Sequence, residues 1–176
     1  VYQVLFRTLA AEQDNLDRCR YLFFRSITLV AVYGTPFYIG LLWLSEPLIR
    51  GVYGEKWVEA AGPLLILIFA WPFWLIDMLS GAVLAAFAWL HREVVSQTAT
   101  LIVTCITILI GLDFGIKGVA WALVFSAAFS AIFMHTLAIR CLKAHWLDFV
   151  RALAPAAVLN STLAASLFLF SAVLPD

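Results

Sequence analysis

Five stretches of this chain run for about twenty residues or more with almost no formal charge. They cover residues 26–45, 60–90, 94–112, 118–139 and 152–174. A helix needs about 20 apolar residues to cross a hydrocarbon layer of about 30 Å. In that setting every backbone N–H and C=O must be satisfied within the segment, which leaves the helix as the conformation for single charge-free runs. Composition agrees. Hydrophobic residues make up 64% and charged residues 12% of the 176, and the mean hydropathy is +0.99. A water-soluble domain is about 45–50% apolar and about 25% charged. The chain is therefore expected to be an all-α, multi-pass transmembrane bundle of about five helices, with residues 26–176 in the membrane-spanning part. Disorder is excluded by the same numbers.

The second run has 31 residues, about 46 Å of helix at 1.5 Å per residue. That is too long for an upright span, so it tilts, starts in the interface, or breaks, with Pro72 the obvious place; two re-entrant halves are the remaining option. Pro36 and Pro155 lie inside other spans. Several interrupted helices together occur where helices line a cavity.

The connectors carry most of the charge and set an orientation. Residues 1–25, 91–93 and 140–151 hold eight Lys and Arg; the alternate connectors, 46–59 and 113–117, hold three. The basic side is normally cytoplasmic, which places the N-terminal end of the chain inside. Residues 1–25 form an amphipathic connector: Leu9, Leu16, Cys19, Leu22 and Phe23 share a helical face, and Glu12, Asp14, Asp17 and Arg18 lie off it. It is expected to lie along the inner surface. Tyr21, Trp43, Tyr53, Trp57, Trp89 and Trp146 fall near the span ends, where amphipathic rings favour the headgroup level. The chain starts at Val1 without a leader-like stretch and stops after an apolar run at Pro175 and Asp176. These features predict a piece of a longer membrane protein.

Polar groups inside the spans are the candidates for function. Asp77 is the one formal charge there. A carboxylate at the bilayer centre costs about 2.5–3.5 kcal/mol on insertion scales, so it must face a cavity or a partner. It reads as a proton or cation relay, or as an acceptor for a polar substrate. The bland reading is a residue at a kink bonded to backbone or hydroxyl groups. His135 belongs near the inner end of the fourth span, at the interface. Asn160 suits a hydrogen bond between helices. Trp71 and Trp74 suit packing or stacking on a sugar. Small residues at four-residue spacing (Ala122, Ser126 and Ser130; Gly81 and Ala85; Ala82 and Ala86) mark close helix contacts.

Signatures of soluble enzymes are absent: no G-x-x-x-x-G-K-[ST], H-E-x-x-H or G-x-S-x-G, and no carboxylates paired for acid–base work. Cys19, Cys105 and Cys141 include no C-x-x-C pair, so no metal site is expected. The zero net charge offers no field for nucleic acid. The expectation is a protein that is not an enzyme and takes no cofactor.

The order of motifs carries a resemblance. The connector LAAEQDNLDRCRYLFFRS precedes a span that ends in PLIRGVYGEKWVEAAGPLL. A long span then ends in LAAFAWLHRE, and the next closes with GLDFGIKGVAWALVFS. This resembles the C-terminal half of bacterial polysaccharide or O-antigen flippases, within the multidrug/oligosaccharidyl-lipid/polysaccharide exporter superfamily. The resemblance covers nearly the whole chain. It implies one lobe, in part, of a MATE-like transporter in the bacterial inner membrane that moves a lipid-linked oligosaccharide to the outer leaflet for lipopolysaccharide or related surface polymers. Its partners would be the isoprenoid pyrophosphate sugar, the lipid bilayer and other polysaccharide-assembly proteins. Arg25 and Arg92 then become candidate cations for the pyrophosphate, and Asp77 a candidate for ion coupling. The alternatives are a multidrug exporter of the same superfamily, which favours several intramembrane carboxylates, and a membrane-embedded polysaccharide polymerase or acyltransferase, which favours a large extramembrane loop. The longest predicted connector between spans, 46–59, has 14 residues.

Overall fold

The computed structural model describes residues 2–173, with side chains to residue 169. Among these residues the chain is helical throughout, without strands. The helices are α1 (Tyr2–Ala11), α2 (Leu16–Tyr53), α3 (Ala61–Ile68), α4 (Trp71–Ala86), α5 (Leu90–Leu112), α6 (Gly115–Leu142) and α7 (Trp146–Val173), with a 3-10 segment, Glu55–Ala60, ahead of α3. Among the described residues four helices are long and apolar enough to cross a membrane, or five if the bent pair of Glu55–Ile68 and Trp71–Ala86 is counted as one span. The protein is an all-α, multi-pass helical bundle.

The bend lies where the sequence requires it. Pro72 has no N–H, so the carbonyl of Ile68, four residues earlier, loses its helical partner; α3 stops at Ile68. The amides of Phe69 and Ala70 turn to Ile66 and Leu67 at 3.1 and 3.0 Å, and Pro72 becomes part of the first turn of α4, where a missing N–H costs nothing. The axes differ by 48°. The long run is thus broken at Pro72 by a bend, without reversing its direction.

Several boundaries differ from those read in the sequence. The amphipathic stretch 9–24 is not one helix. It breaks at residues 12–15, where Asn15 caps α2 by accepting from the Arg18 amide at 3.0 Å. From there α2 runs without interruption through residue 25 and past Pro36 and Pro47 to Tyr53. The connector 46–59 is thus half helix, ended by Gly54 at φ 85°, a conformation that suits glycine. The apolar face of α1 packs on the protein. Leu5 and Leu9 are buried against Cys19, Phe23 and Ile27 of α2, the second half of α4, and Met134, Ala138 and Leu142 of α6. The Gln13 amide bonds the Ala86 carbonyl and clamps the α1–α2 turn onto the end of α4. The runs read as 94–112, 118–139 and 152–174 begin earlier as helices, at Leu90, Gly115 and Trp146; the predicted end at 174 lies outside the described residues.

The core gathers at one end of the bundle, and α6 is its axis. More than half of the most apolar window of α6 is buried, against 11% in α2, α5 and α7. Leu101, Ile102, Leu109 and Ile110 on α5 are all more than half exposed. A continuous apolar surface of this kind is not tolerated in water and is the normal exterior in lipid. The two glycines of the α5–α6 turn bring the backbones together: a Cβ on Gly111 would lie 2.8 Å from the Gly118 carbonyl oxygen.

Candidate functional site

Asp77 lies a turn and a half beyond Pro72, on the side of α4 that faces α5 and α6. It borders a cleft of about 220 Å³ with Trp74, Gln97, Thr100, Thr104 and Ser130. Ser130 Oγ donates to Asp77 Oδ1 at 2.6 Å. Oδ2 has no donor among the described residues, and the carboxylate is only half-buried. One oxygen is therefore held by the protein, and the other is available to whatever enters the cleft.

The walls continue this polar character along the α5–α6 seam. Thr107 Oγ1 and Ser126 Oγ are 2.9 Å apart, so one donates to the other, and the hydroxyl left as acceptor donates to its own helix, where Val103 O and Ala122 O each lie at 2.9 Å. Thr104 donates to Thr100 O at 2.8 Å. The hydroxyl of Thr100, facing the same cleft, is buried without a partner among the described residues. Hydroxyls that return to the backbone neutralise themselves cheaply in an apolar setting and can rotate toward a ligand. The result is a short row of hydroxyls along the seam beside Asp77.

Sequence reasoning singles out Asp77 and misses this lining. A signal was present: Gln97, Thr100, Thr104 and Thr107 follow each other at three- and four-residue steps, a single helical stripe. Ser126 and Ser130 read as packing residues and are buried, but they also make the bonds of the cleft.

The other candidates lie elsewhere. Arg25 borders a separate groove between α2 and α7, with Arg20, Asp148 and Arg151. Arg92 stacks over Trp89 at 3.9 Å from the ring centroid, at the start of α5. The structure therefore does not bring Asp77, Arg25 and Arg92 into one site. His135, expected near the inner end of the fourth span, is 1% exposed. It is enclosed by the rings of Phe23, Trp146 and Phe149, with Ser80 Oγ 3.4 Å from Nδ1 and no partner at Nε2 among the described residues. Asn160 donates to Ala156 O at 2.7 Å and reaches Ala31 O on α2 at 3.5 Å, bridging two helices. Trp71 stacks on Tyr38 with centroids 4.0 Å apart, whereas Trp74 is half exposed at the cleft.

The helices define a multi-pass membrane protein with a small cleft beside Asp77. Residues 1–62 match the family model described as a polysaccharide biosynthesis protein. The match spans α1, α2 and the beginning of α3 and supports a role in polysaccharide biosynthesis; Arg25 falls within it, and the Asp77 cleft lies beyond it. No curated protein and no solved structure matches the chain.

Proposed function

We propose that this chain belongs to a transporter that flips a lipid-linked oligosaccharide across the bacterial inner membrane, and that it acts without covalent chemistry or a cofactor. The observation that carries this reading is Asp77, held at one oxygen by Ser130 and open at the other to a hydroxyl-lined cleft between α4, α5 and α6. A charge of this kind in a membrane bundle is costly and marks a path for an ion or a polar substrate. The family match over α1 and α2, to a polysaccharide biosynthesis protein, supports a glycan as the cargo. The break at Ile68–Trp71 adds a joint at which α3 and α4 can change their angle around the cleft.

In this mechanism Asp77 takes up and releases the coupling cation or proton. Exchange of Ser130 as its donor signals occupancy to α6. The sugars travel along the hydroxyl stripe, and the isoprenoid tail stays in lipid against the apolar exterior. Arg92, at the entrance of α5, serves as a counter-charge for the pyrophosphate. The N-terminal end faces the cytoplasm.

The test is complementation. Cells lacking their own flippase, and supplied with the complete protein that carries this chain, should display surface polysaccharide. Asp77→Asn should abolish display while membrane insertion is unchanged. Full display with Asp77→Asn would remove the coupling role, and failure of the unmodified protein to restore display would refute the transport reading.

A further inference from the structure

The groove between α2 and α7 is built differently from the Asp77 cleft. It has a volume of about 460 Å³ and is bordered by Arg20, Tyr21, Arg25, Thr28, Asp148 and Arg151. The two helices are joined beside it by Thr28, whose hydroxyl donates to Ala152 O at 2.8 Å. Further along, Asn160 reaches toward Ala31 O.

The charges in the groove are unequally spent. Arg20 is committed: its Nη1 pairs with Asp17 at 2.7 Å and its Nε donates to Leu142 O at 2.7 Å. Asp148 accepts from the His145 amide at 3.2 Å and caps α7. Among the described residues Arg25 and Arg151 form no ion pair. Two unpaired guanidinium groups therefore share a groove with one capped carboxylate. Each adjoins a charge-free run, Arg25 at residue 26 and Arg151 at residue 152. This is the level at which the chain passes from polar to apolar, with Tyr21 beside it in the position of an interfacial anchor.

We propose that this groove binds the phosphate headgroup of an anionic membrane phospholipid. A guanidinium offers a planar pair of donors that matches two phosphate oxygens. Basic pockets between membrane helices at the lipid surface take anionic headgroups. The headgroup sits between Arg25 and Arg151, and its acyl chains descend along the apolar sides of α2 and α7. The lipid ties the start of α7 to α2 at the same end of the bundle as the core. The inference requires a membrane bundle but not the transport reading, because it uses neither Asp77 nor its cleft.

Native mass spectrometry of the whole chain, released from mild detergent, reads this directly. Phosphatidylglycerol should be retained over phosphatidylcholine, and inorganic phosphate at the same concentration should not displace it. Each arginine near an anionic surface is worth about fivefold in affinity, so Arg25→Gln with Arg151→Gln should reduce the preference on the order of 25-fold. Asp148→Asn keeps a capping side chain and removes the opposing charge, so it should raise retention, a gain that misfolding does not produce. Equal retention of the two lipids would overturn the proposal. So would a preference unchanged in the double variant or by Asp148→Asn, and displacement by inorganic phosphate would assign a free-anion site instead.

Discussion

A single methyl group on Gly111 should separate α5 from α6, and the structure sets the size of the effect. The added Cβ would stand 2.8 Å from the Gly118 carbonyl oxygen and 2.9 Å from its carbon, below the 3.0 Å that such contacts essentially never undercut. The obstacle is backbone, so no rotamer change relieves it. Restoring the 3.4 Å of ordinary contact opens the crossing by about 0.6 Å, and a gap of about 0.5–1 Å forfeits roughly a quarter to a half of each dispersion contact along the seam. Overpacking costs about 1–3 kcal/mol, and the helix preference of alanine over glycine returns about 0.5–1 kcal/mol, so the expected net loss is centred on about 1 kcal/mol and reaches about 2.5 kcal/mol at most. Gly118→Ala should lose at least as much, because its Cβ meets both the Gly111 carbonyl and, at 2.6 Å, Phe114 Cβ. Gly40→Ala is the control: nothing lies within 4 Å of a Cβ there, so the same chemical change should stabilise α2 by about 0.5–1 kcal/mol. The assay is titration of the detergent-solubilised chain with a denaturing detergent, followed by tryptophan fluorescence. Equal effects of the same sign at Gly111 and Gly40 would refute the close α5–α6 crossing, and with it the seam that holds Thr107 against Ser126.

Three other substitutions test separate parts of the structure. Ala88 closes the α4–α5 turn at φ 57°, a conformation that costs a residue with a Cβ about 1 kcal/mol; Ala88→Gly should recover about that amount in the same unfolding titration, and a loss would show the turn to be different. Asn160→Leu removes the bridge from α7 to α2, and bonds of this class in membranes average about 0.6 kcal/mol; disulfide trapping between α2 and α7 should become measurably less selective, and unchanged trapping would leave the bridge without weight. His135→Phe places an apolar ring among Phe23, Trp146 and Phe149 and removes an unpartnered buried nitrogen, a group that costs about 1–3 kcal/mol. Stability should hold or rise, because the gain at Nε2 exceeds the loss of the long Ser80 contact at 3.4 Å, and a marked drop would mean that His135 meets a polar partner beyond Ser80.

Hydropathy alone was enough for the helical class and the membrane setting, because a charge-free run of twenty residues has few other solutions. Pro72 announced the break in the long run, since a missing N–H acts on the carbonyl four residues earlier wherever the helix sits. Asp77 was legible for a similar reason: one charge among apolar residues stands out without any neighbour being known. Its partners did not stand out. Ser126 and Ser130 carry the spacing of packing residues, and whether a serine packs or donates depends on what the facing helix presents. The fate of the first 24 residues was likewise a tertiary matter. An amphipathic face is equally suited to a lipid surface and to a protein groove, and only the end of α4 and α6, packed together, provided the groove that takes Leu5 and Leu9. The separation of Arg25 from Asp77 belongs to the same category, since pattern assigns a residue to a face of its own helix, and only the packing of helices decides which faces meet.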